Sequence, residues 1–144
     1  MIFGNDRDAL RRMYKDAWSR RRAGLPLEPL ADQIASVVEQ HPEYYRVIED
    51  DAALSNEYSP EAGQSNPFLH MGMHLAVREH VATDRPPGIR AAFQTLAQRL
   101  GDAHAAEHEV FECLGAALWE AQRSGRPPDE QAYLECVRKR TPRA

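Results

Sequence analysis

The chain has 144 residues, of which 42% are hydrophobic and 28% charged, with a formal net charge of −4. That balance excludes a disordered or fibrous chain, and it argues against a dedicated nucleic-acid binder, because phosphate contact needs a clear cationic excess. The length suits one domain, 1–144, with a core of its own. No apolar run approaches the roughly 20 residues that span a bilayer, and the start Gly4-Asn5-Asp6-Arg7-Asp8 is unlike a signal peptide. The expectation is a cytoplasmic protein with no membrane association; a homo-oligomer is compatible with this composition.

A first helix is predicted over 6–22, capped by Asn5 or Asp6, with Leu10, Met13, Tyr14, Ala17 and Arg21 on one side and Gly24 ending it. Trp18 is expected to anchor packing. The connector Leu25-Pro26-Leu27-Glu28-Pro29 leads to a second helix up to His41, whose apolar stripe is Leu30, Ile34, Val37, Val38 and His41. Pro42 opens a short segment to about residue 50, and the stretch 51–65 is polar and turn-like, a long connection of the kind that serves as a lid or a mobile insertion.

Asn66 and Pro67 then open a helix to about Thr83, since Asn accepts from first-turn amides and Pro fits the first helical position. On this helix His70, Met73, His74, Val77 and Val81 share a face. Two imidazoles thus stand at i and i+4 among aliphatic side chains, with Arg78 at the rim. The run Asp84-Arg85-Pro86-Pro87-Gly88 stops it. A helix over 89–100 follows, built on Ile89, Ala92, Phe93, Leu96 and Leu100 and closed by Gly101. Asp102 caps the longest helix, to about residue 124, on which His104, His108, Phe111, Gly115, Leu118 and Trp119 lie together with Glu112 at the margin. The last helix, about 129–140, offers Tyr133, Leu134 and Val137 to the core. The elements predict an all-α fold, a single compact bundle of about five to six helices with one long polar loop.

Four of the six histidines therefore form two HxxxH pairs, His70/His74 and His104/His108, and His41 belongs to a third apolar stripe. Imidazoles one turn apart converge on a single divalent ion, and facing helices complete its coordination with nitrogen or carboxylate. The candidate metal ligands are His70, His74, His104, His108 and His41, the ion zinc or iron, and Glu112 the carboxylate placed to act as ligand or general base. The same residues also suit a His/Glu acid–base cluster without metal. The alternative is a non-enzymatic interaction or adaptor protein, in which the histidines form a structural hydrogen-bond network. The basic runs Arg20-Arg21-Arg22 and Arg138-Lys139-Arg140 would then meet an acidic partner, although at helix C-termini they also complement the macrodipole. Cys113 and Cys136 lack CxxC spacing, so neither a disulfide scaffold nor a thiolate metal site is expected, and both are read as small packed side chains.

Several stretches carry a family resemblance: Phe3-Gly4-Asn5-Asp6-Arg7, Pro26-Leu27-Glu28-Pro29-Leu30, His41-Pro42-Glu43-Tyr44, the run from Asn66 to Glu79, Thr83-Asp84-Arg85-Pro86, His104-Ala105-Ala106-Glu107-His108 and Glu112-Cys113-Leu114. With these the chain resembles the proteobacterial family catalogued as domain of unknown function 1841, and NPFLHMGMH is the specific part. That resemblance implies a bacterial source and no particular activity. Parts of the pattern are similar to two other helical groups. His108-x-x-x-Glu112 with His70-x-x-x-His74 looks like the segments of hemerythrin-like bundles in a changed order, and His41 with His70 and His74 is similar to the DinB-like bundles.

Overall fold

Helical spacing along the chain becomes seven α-helices in the computed structural model, which describes residues 2–52, 58 and 66–140 and side chains from Arg7 onward. They are α1 (Ile2–Arg22), α2 (Pro29–Glu39), α3 (Tyr45–Glu49), α4 (Pro67–Thr83), α5 (Ile89–Leu100), α6 (Ala103–Ser124) and α7 (Glu130–Lys139), with a 3-10 turn, Pro42–Tyr44, before α3. No strand occurs among the described residues, so the fold is all-α. The count exceeds the expected five to six because the short segment after Pro42 closes its own α-helical turn. No helix among the described residues is long and apolar enough to cross a membrane. The predicted polar loop lies outside the described residues apart from Asp51, Ala52 and Tyr58.

By its internal contacts the chain divides into two units, Met1–Leu75 and Ala76–Ala144, the boundary falling within α4. In the first unit α1 lies along α2, and Tyr14, Ala17 and Trp18 bury against Ile34, Ala35, Val37 and Val38. Trp18 is the anchor that its position predicts: its ring stacks on Tyr45 at 4.6 Å, and its Nε1–H donates to Glu49 Oε2 at 3.1 Å. The first helix starts at Ile2, before the predicted caps Asn5 and Asp6. Phe68 and Met71, from the first turns of α4, complete this core, with Tyr14 meeting Phe68 edge-on at 5.7 Å.

In the second unit α5, α6 and α7 pack on one another. Here α6 differs from its predicted face. The buried residues are Ala106, Glu107, Val110, Cys113 and Leu114, whereas Leu118 is 41% and Trp119 65% exposed. Trp119, expected on the apolar face, instead lies on the surface, where Arg123 stacks over its ring, the guanidinium carbon 5.5 Å from the centroid. The two cysteines also depart from expectation. Cys113 on α6 and Cys136 on α7 stand 5.7 Å apart at Cα and form a disulfide, because the pairing of these helices brings together residues 23 positions apart.

Candidate functional site

The local chemistry that places the first histidine pair is the one its sequence predicts. Asn66 Oδ1 accepts from the amides of Phe68 at 3.0 Å and Leu69 at 3.1 Å, which satisfies two orphan donors of α4 and fixes the register of the helix. In that register Met71, His74 and Val77 are fully buried, with His70 half-buried beside them. Nε2 of His74 and Nε2 of His70 are 3.2 Å apart.

His41 reaches the same place from outside α2, which ends at Glu39 with Gln40 as its cap. The expected helical position is not taken, because a residue preceding proline is driven from the α region, and His41 adopts φ −126° and ψ 68° before Pro42. Its side chain nevertheless turns back into the core, where it is 2% exposed. The close approach of His41 Nδ1 to the Val37 carbonyl, 2.7 Å, is a bond donated by the ring N–H, since a carbonyl only accepts. That fixes the tautomer and leaves Nε2 as the lone-pair nitrogen.

The three rings form one aromatic cluster in the first unit. His41 lies 4.9 Å from His74 and 5.2 Å from His70 between centroids, and the His70–His74 separation is 4.8 Å. Ring nitrogens of His41 and His74 are within 4.8 Å of each other, as are those of His70 and His74. Tyr44 closes one side by stacking on His41 at 5.5 Å and meeting His70 edge-on at 5.9 Å; burial and then Glu43 raise its phenol pKa. Tyr14 approaches Gly72, and burial pushes its phenol up to about 12, so it stays protonated at neutral pH.

The second pair belongs to α6 in the second unit. Asp102 caps that helix by accepting from the His104 amide at 3.0 Å, as predicted. His104 and His108 are half-buried, and His108 stacks on Phe111 at 5.4 Å. Glu112 is exposed and pairs with Arg140 Nη1 at 3.6 Å, beside the Glu109–Arg140 bond at 2.9 Å.

Two polar pairs went unread in the sequence. Glu107, 7% exposed, accepts from Arg78 Nε at 2.9 Å, so Arg78 is an ion-pair partner in addition to a rim residue. His80 Nδ1 lies 3.1 Å from the Tyr133 hydroxyl. Both link residues far apart in sequence, 29 and 53 positions, which no local spacing reveals.

No curated protein and no solved structure is significantly similar to the chain. A family model described as domain of unknown function (DUF1841) matches residues 6–139. That span holds all the histidines and nearly the whole length, and the chain belongs to this family.

Proposed function

We propose that the protein binds a transition-metal ion, zinc or iron, through the His70/His74 pair, with His41, whose ring nitrogen lies within 4.8 Å of one of His74, as a further ligand. The observation that supports this reading is the 3.2 Å separation of the His70 and His74 Nε2 atoms. Two nitrogens held by one tetrahedral zinc at about 2.05 Å stand about 3.3 Å apart, so the separation of this pair is the one that a shared ion requires. His41 adds the second feature of a ligand, a ring whose far N–H is committed to a backbone carbonyl so that the other nitrogen presents its lone pair. An all-nitrogen set suits borderline ions, and a bound ion would supply a Lewis acid or, as iron, a redox centre.

The test is metal analysis of untagged protein, followed by titration with zinc. About one equivalent per chain is expected, lost in His41→Ala and His74→Ala and kept in His80→Ala, with helicity checked in each. Less than about a tenth of an equivalent, also after reconstitution, overturns the metal reading. The sequence expectation for His104, His108 and Glu112 enters the same experiment. Alanine at either histidine, or Glu112→Gln, removes that residue from the ligand set if the ion stays in place.

A second reading has the same 3.2 Å contact as its support, because it is also the length of an N–H···N hydrogen bond between neutral imidazoles. The histidines are then a structural network within a non-enzymatic interaction protein. Under this reading no metal binds, and His74→Ala lowers stability by about 1–3 kcal/mol through the buried polar group it leaves behind.

A further inference from the structure

A cavity of about 710 Å3 opens in the second unit, within the range that small organic ligands occupy. Its walls are the end of α4 with the turn that follows, the middle of α6 and the start of α7. Leu114, Leu118, Pro86 and Pro128 make an apolar lining, and Tyr133, 4% exposed, meets His80 inside it. The charge is one-sided: Glu79, Asp129 and Glu130 line the cavity against the single guanidinium of Arg85. Asp129 is partly committed, since it caps α7 by accepting from the Ala132 amide at 3.0 Å. Glu79 and Glu130, both exposed, line the cavity beside His80, whose pKa they draw upward while burial, the larger effect, lowers it.

We propose that this cavity is a binding site for a small organic amine, its ammonium received by Glu79 and Glu130 and its apolar body laid on Leu114, Leu118 and Pro86. His80 is neutral at pH 7, since its pKa falls below 6.5. Its Nδ1 lies 3.1 Å from the Tyr133 hydroxyl, which holds the ring in place at the wall of the cavity. Tyr133 stays protonated, because burial raises its phenol pKa. An anionic ligand of the same shape would meet two more negative charges than positive ones at the walls, and that difference makes the site selective.

The experiment is an NMR titration of the full chain with phenethylamine, cyclohexylamine and cadaverine, and with phenylacetate as the anionic isostere of the first. At least one amine should saturate with a dissociation constant near 1 mM, in keeping with a fragment-sized ligand. The shifted amides should cluster in α4 after Glu79, in α6 around Leu118 and in the first turn of α7. The His80 titration midpoint should fall on binding, because a bound cation opposes its protonation. Glu79→Gln and Glu130→Gln each weaken binding about threefold, and together about tenfold, with phenylacetate showing no saturation. The proposal is overturned if no amine saturates below about 10 mM, if phenylacetate binds as well as phenethylamine, or if the doubly substituted chain, folded by its spectrum, binds as the original does. Metal content does not enter this readout, so it stands or falls apart from the imidazole cluster.

Discussion

His80 shows how one side chain reports on its surroundings. Burial penalises the imidazolium, while the carboxylates of Glu130 and Glu79 favour it, and burial is the larger effect, so the folded pKa lies below 6.5. The sign for stability follows from which state binds the proton. Below 6.5 the unfolded chain takes up a proton that the folded chain refuses, so the contribution of His80 is fully present above that value and is lost as pH falls through the folded pKa. Removing a carboxylate should deepen the shift. In Glu130→Gln the midpoint of the His80 ring resonances moves further down, whereas Glu109→Gln, on the far pair with Arg140, leaves it in place. A Glu130→Gln midpoint equal to or above the original would mean that the carboxylate does not act on this ring.

At the scale of elements, the Cys113–Cys136 bond ties α6 to α7 and closes a loop of 23 positions, which constrains the unfolded chain by about 3 kcal/mol in the chain-entropy description. Reduction by a dithiol should lower the urea midpoint accordingly, and Cys136→Ser should show the lowered value with no further response to the reductant. Equal midpoints for oxidised and reduced protein would remove the bond from the stability of the fold. This bond also marks where sequence reading stops. Several helix ends were legible because their chemistry is local: Asn66 with Pro67 and Gly101 with Asp102 each sit within a few residues of the groups they serve. The partner of a face is not local. Helix α6 carries two apolar stripes, and the choice of Ala106, Val110, Cys113 and Leu114 over Phe111, Leu118 and Trp119 is made by α5 and α7, which the periodicity of α6 does not contain. The cysteine pair and the His80–Tyr133 contact were hidden for the same reason, since residues 23 and 53 positions apart leave no spacing to read. In the first unit the His70/His74 pair was legible as an i, i+4 repeat, while the return of His41 from beyond the end of α2 depends on the backbone that Pro42 imposes.

For the molecule as a whole, the proposed metal binding would be coupled to folding. A ligand that binds only the folded chain stabilises it by RT ln(1 + [L]/Kd), about 2.7 kcal/mol at a hundredfold excess over Kd. The imidazoles of His41, His70 and His74 are gathered by folding from α2's end and from α4, and the unfolded chain holds only the local HxxxH pair, so under the metal reading the folded chain should bind the ion more tightly than the unfolded one. For a chain of 144 residues that stabilisation raises Tm by on the order of 5 to 10 °C. Saturating zinc should therefore raise Tm of the untagged protein, a chelator should return it, and His41→Ala should show a much smaller rise, since it keeps the local pair but loses the residue that only the fold delivers. A hydrogen-bonded network without an ion responds differently: zinc leaves Tm unchanged, and His41→Ala lowers it with or without the metal. The zinc response of the His41 variant separates a site that the fold assembles from a pair that the α4 sequence presents by itself.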